Sequence, residues 1–125
     1  MGESEHNIQA GIVMWARMQR LPSPLCLLHS IPNGGQRHIA VAKKMKAEGQ
    51  LAGIPDLFLP HAAHVFHGLY IEVKTTKGVL SASQKTIHSL LERHGYAVEI
   101  VRSIEEGVKL LQWYCDNKPL PGEQP

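Results

Sequence analysis

The chain has 125 residues, enough for one ordinary hydrophobic core and too few for two, so a single domain over residues 1–117 with a frayed tail at 118–125 is expected. Its net charge of +2 permits nucleic-acid binding only where positive charge gathers on one surface. No apolar run approaches the roughly 18 residues that span a bilayer, and the N-terminus lacks a basic start followed by an apolar stretch, so no membrane contact and a reducing, cytoplasmic setting are expected.

In chain order, Ser4-Glu5-His6-Asn7 opens a helix in which Ile8, Ile12, Trp15 and Ala16 repeat at helical spacing. It runs to about Met18 or Arg20 and is stopped by Pro22 and Pro24. Glu5 and Gln9 lie on one of its faces, beside the apolar stripe; Glu5 is either a carboxylate favoured by the helix dipole or a group overlooking a site on the sheet. Leu25 to Ser30 is a continuous apolar run suited to a strand covered on both faces, which makes Cys26 a buried structural thiol. Cys26 and Cys115 are far apart and neither belongs to a C-x-x-C pair, which argues against a zinc knuckle or a thioredoxin-type site. Gly34, Gly35 and Arg37 form either a plain turn or a phosphate contact. Ile39 to Glu48 is a predicted helix stopped at Gly49. Arg37, His38, Lys43, Lys44 and Lys46 make one basic concentration there, read as a solvated face or as a nucleic-acid contact.

Two strands follow, around Gly53-Ile54-Pro55-Asp56-Leu57-Phe58-Leu59 and Leu69-Tyr70-Ile71-Glu72-Val73-Lys74, joined by the loop Pro60 to Gly68. His61, His64 and His67 recur every third residue in that loop, but without a cysteine or carboxylate nearby they are not expected to bind zinc. Ser81 and Gln84 fit a capping box for a helix running through Ile87, Leu90 and Leu91 to Gly95. Tyr96 to Val101 is the next strand, and Ser103 caps a last helix whose Trp113 and Tyr114 are candidates for an exposed apolar patch. The order predicts an α/β sandwich on a mixed sheet of about four strands flanked by helices.

The chemistry concentrates on the strand pair. Strand side chains alternate between faces, so Glu72 and Lys74 share one face and Val73 points to the other. If Asp56 turns to the same face from the neighbouring strand, two carboxylates and an ammonium converge, a donor set suited to a hard divalent cation; an Asp56–Lys74 ion pair is the structural alternative.

The assembly of Glu5 and Gln9, then Gly53-Ile54-Pro55-Asp56, then Glu72-Val73-Lys74, then Gln84, resembles the PD-(D/E)xK nuclease superfamily. Within it, the Pro32-Asn33-Gly34-Gly35 loop, the Ala47-Glu48-Gly49 approach to Asp56 and the Ser83-Gln84 helix resemble the VRR-NUC family, over nearly the whole chain to about Val108. The resemblance implies a restriction-endonuclease-like core. It implies Mg²⁺ or Mn²⁺ on Asp56 and Glu72 with the Val73 carbonyl, Lys74 orienting or deprotonating the attacking water, and Glu5 (or Glu3 in its place) completing the site. Gln84 would position the scissile phosphate or support Lys74. Arg37, Lys43, Lys44, Lys46 and Lys77 are the expected phosphate contacts. The free-standing phage and bacterial members resembled act as homodimeric resolvases of four-way DNA junctions, so branched duplex DNA and a second copy of the chain are the expected partners. A flap or nicking endonuclease and an inert DNA-binding module are the alternatives.

Overall fold

The computed structural model describes residues 3–32 and 39–116; the readings placed on Asn33, Gly34, Gly35, Arg37 and His38, and on the tail, fall outside the described residues. Helix α1 (Glu5–Arg17) is capped by Ser4, whose hydroxyl accepts the Asn7 N–H at 3.1 Å. It ends slightly before the prolines. The Gln19 side chain donates to the Trp15 carbonyl (2.9 Å), and the Arg17 guanidinium donates to the Leu28 carbonyl (2.5 Å), tying the helix end to the segment that follows.

That segment departs from expectation. Pro24–Leu27 is a 3₁₀ helix rather than a strand, with Pro24 in its first turn and the Ser23 hydroxyl accepting the Leu25 N–H. Side chains three apart eclipse on a 3₁₀ helix, so Leu25 and Leu28 enter the core while Leu27 faces out. Cys26 is consequently half-buried, its thiol 3.4 Å from the Gln19 carbonyl. Only His29–Ser30 forms a strand, β1.

Helix α2 (Ile39–Ala47) buries none of its residues. Strands β2 (Leu57–Leu59) and β3 (Leu69–Val73) pair antiparallel, with Leu57 opposite Ile71, and β1 pairs antiparallel with β2. Helix α3 (Ala82–Arg93) carries the chain to β4 (Ala97–Val101), which lies parallel to β3 and needs that crossover to do so. Helix α4 (Ile104–Asp116) closes the fold. The result is the expected α/β architecture: among the described residues, one mixed four-stranded sheet in the order β1-β2-β3-β4, flanked by four α-helices.

Alternation along β3 organises both layers. Leu69, Ile71 and Val73 join Leu57, Leu59, Ala97 and Val101 in a core closed by Ile8, Ile12 and Ala16 of α1 and by Leu111 and Tyr114 of α4. Tyr70 and Glu72 point the other way, towards α3. Helices α1 and α4 pack through a reciprocal notch: a Cβ on Gly11 would strike Ile104, and one on Gly107 would strike Ile12.

Tyr114 corrects the expectation of an exposed patch. It lies three residues beyond Leu111 on the buried stripe of α4, has no exposed surface, and donates its hydroxyl to the His61 carbonyl at 2.7 Å. Trp113 is half-buried and stacks on His64, with ring centroids 4.3 Å apart. His61 and His67 meet Tyr114 and Tyr96 edge-on, so the three loop histidines pack against aromatic rings.

Candidate active site

The site forms where β2 and β3 diverge. Asp56 immediately precedes β2, and its Oδ2 accepts the Val73 N–H at 2.7 Å, while its carbonyl accepts the Ile31 N–H at 2.8 Å. The residue is held from both neighbouring strands. Its approach depends on Gly53, which has φ 87° and lies so close to α3 that a Cβ would strike the Ser83 carbonyl. Only glycine meets both conditions without strain, and through it the loop before Asp56 seats against the first turn of α3.

Glu72 is 2% exposed and Lys74 9% exposed, both unusual for charged side chains. The Glu72 carboxyl is pushed up to about 8, first by burial, then by a hydrogen bond shared with the Asp56 side chain and by the negative charges of Asp56 and Glu5; Lys74 opposes the shift. Two carboxyl groups from adjacent strands are therefore close enough for one to shift the ionisation of the other. Glu5 occupies the exposed first turn of α1 and reaches the site through its field.

Helix α3 closes the other side. Gln84 completes the capping box, its Oε1 accepting the Ser81 N–H at 2.9 Å, and its Nε2 donates to Glu72 Oε2 at 3.3 Å. The amide that starts the helix thus also grips the acid. One turn on, His88 places Nε2 3.0 Å from Glu72 Oε1 and is 7% exposed. Sequence reasoning missed His88. Its signal was the spacing of four from Gln84, which puts both on one helix face, but that spacing names no partner on a strand 16 residues upstream. Burial lowers the His88 pKa, with Lys74 also lowering it and Glu92 and Asp56 raising it.

Beyond Lys74 the chain turns at Thr75 to Gly78, held by the Arg102 guanidinium, which donates to the carbonyls of Thr75 (2.7 Å) and Gly78 (2.8 Å). This anchor, also unread in the sequence, seats exposed Lys77 beside the site. Lys43, Lys44 and Lys46 are exposed on α2.

Among the described residues no group of three or more His, Cys, Asp or Glu side chains is spaced to hold a metal ion. The donors that Asp56 and Glu72 bring together are carboxylate oxygens. That set fits a hard cation completing its shell with water and does not fit zinc. The proximity of Asp56, which favours the protonated form of Glu72, is what such a cation would offset.

The profile of the VRR-NUC domain matches residues 3–105. The chain belongs to the VRR-NUC family. As a VRR-NUC domain it has a nuclease-type fold, and a solved structure described as a VRR_NUC domain protein superposes with a TM-score of 0.80 at 26% identity, over 98% of this chain and 96% of the other. No curated protein matches the chain. The VRR-NUC match spans Asp56, Glu72, Lys74, Gln84 and His88 alike.

Proposed function

We propose that this VRR-NUC domain is a Mg²⁺- or Mn²⁺-dependent, structure-specific DNA endonuclease that works as a homodimeric resolvase of four-way (Holliday) junctions. The observation that carries the reading is the convergence of Asp56 and Glu72 from adjacent strands, with Lys74 two positions along from Glu72.

Asp56, Glu72 and the Val73 carbonyl would hold the cation, with Glu5 of α1 adding negative charge to the site. Bound there, the cation would supply Lewis-acid polarisation of the phosphodiester and acidify the attacking water. Lys74 orients the attacking water and offsets negative charge gathering on the phosphorane. Water oxygen bonds to phosphorus in line with the leaving 3′ oxygen, the P–O3′ bond breaks, and the products carry a 5′-phosphate and a 3′-hydroxyl. Lys43, Lys44, Lys46, Lys77 and Arg37 supply sequence-independent phosphate contacts. One chain provides one such centre; paired cuts across a junction need two, and a two-fold dimer supplies the second.

The test is incubation of the purified protein with four-way, flap and linear duplex DNA in Mg²⁺ or Mn²⁺, with Glu72→Gln alongside. Paired symmetric nicks on the four-way substrate, lost in Glu72→Gln while DNA binding persists, support the reading. Cutting confined to flaps replaces junction resolution with flap cleavage, and binding without cutting makes the protein an inert DNA-binding module. Sedimentation of the free protein tests the dimer.

A further inference from the structure

Helix α3 contributes more to the site than a wall. Gln84 and His88, one turn apart, address different oxygens of one carboxylate: Gln84 Nε2 donates to Glu72 Oε2 and His88 Nε2 lies 3.0 Å from Oε1. The orientation of the Gln84 amide is set by its own oxygen, which is committed to the Ser81 N–H. In the ionised form that a cation requires, the Glu72 carboxylate has only lone pairs to offer, so opposite it His88 Nε2 carries the proton and donates. A glutamate side chain turns broadly about its terminal torsion, and donors on both oxygens remove that freedom. The orientation so held keeps Glu72 against Asp56.

We propose that His88 is a positioning residue that, together with Gln84, locks the Glu72 carboxylate in the orientation from which it shares one divalent cation with Asp56, so that His88 governs cation affinity and not DNA affinity. This rests on the cation reading above and adds a residue that touches neither the cation nor DNA. Buried partners that orient a ligand in this way typically change metal affinity about 10- to 100-fold when removed.

The experiment is titration of the full chain with Mn²⁺ in the absence of DNA, followed by electron paramagnetic resonance. It compares wild type, His88→Phe, which keeps ring volume and removes the donor, His88→Gln, which restores an amide N–H, and Glu72→Gln. Circular dichroism reports folding, and DNA affinity is measured separately in EDTA. The expected result is Mn²⁺ binding weakened about 10- to 100-fold in His88→Phe, largely recovered in His88→Gln, with DNA affinity in EDTA unchanged. In cleavage, the Mg²⁺ concentration giving half-maximal rate should rise more than the rate at saturating Mg²⁺ falls. Wild-type Mn²⁺ affinity in folded His88→Phe, or equal losses in the Phe and Gln variants, overturns the role of His88 and leaves the nuclease reading standing. Failure of wild type to bind Mn²⁺, or no loss in Glu72→Gln, overturns the cation site itself and His88 with it.

Discussion

Glu72 is held between two opposing demands: the proposed cation site needs a carboxylate, yet burial and the neighbouring Asp56 favour the protonated acid, with a pKa pushed up to about 8 from 4.5. In the metal-free protein the folded state therefore keeps a proton that the unfolded chain releases at lower pH. The resulting stability is fully present below pH 4.5 and is lost as pH rises through about 8. Melting temperatures of wild type and Glu72→Gln in EDTA across that window should show the wild type losing ground to the variant as pH rises. Cation binding must expel the same proton, so Mn²⁺ affinity should climb about tenfold per pH unit below 8 and level off above it. A flat titration in both experiments would contradict the placement of Glu72. At this scale Asp56, Glu72 and Lys74 were legible in the sequence, because two of them share one strand and charges in an apolar strand stand out. His88 was not: a lone histidine within a helix gives no sign of a partner on a distant strand.

Between elements, the tightest fit is the notch of α1 and α4. A glycine inside a helix ordinarily costs about 0.5–1 kcal/mol against alanine, yet at Gly107 the added methyl meets Ile12, which is fully buried. Gly107→Ala should therefore destabilise by about 1–3 kcal/mol, whereas Gly11→Ala should cost less because Ile104 is only partly buried and has room to yield. Urea unfolding of the two variants checks both the sign and the order. Arg102→Ala, which strips donors from the Thr75 and Gly78 carbonyls, should cost about 1–3 kcal/mol. It should also speed hydrogen exchange at the Gly78 amide, which bonds Thr75. The helices were readable from their caps, since a Ser81-to-Gln84 box is completed within one turn. The Leu25–Leu28 segment was misread because an apolar run without polar interruptions does not distinguish a strand from a 3₁₀ turn, and only the placement of Pro24 and Ser23 hinted at the latter.

For the whole molecule, a net charge of +2 is too small to bind DNA by bulk attraction, so affinity must come from where the lysines sit. Lys43, Lys44 and Lys46 lie on α2, which buries nothing, and Lys77 lies on the loop that follows Lys74 and is pinned by Arg102. Replacing the three α2 lysines with alanine should lower the slope of log affinity against log salt by about 0.9 for each phosphate that is no longer neutralised, leaving the fold intact. Fluorescence anisotropy over a salt series measures it, and an unchanged slope would move the DNA to another face. The fold class and the pairing of β2 with β3 were legible because both strands carried their own turn signals. Tyr114 was misplaced because aromatic content alone does not say which face of α4 turns inward.

Asp56 joins three strands at once, with its carbonyl on the segment leaving β1 and its carboxylate on the backbone of β3. An alanine there would remove a seam of the sheet along with an acid, and an inactive product could be read as a chemical knockout when it is a loosened scaffold. Asparagine keeps an oxygen facing the Val73 amide, and is the replacement with which to capture uncleaved DNA on an otherwise undisturbed frame.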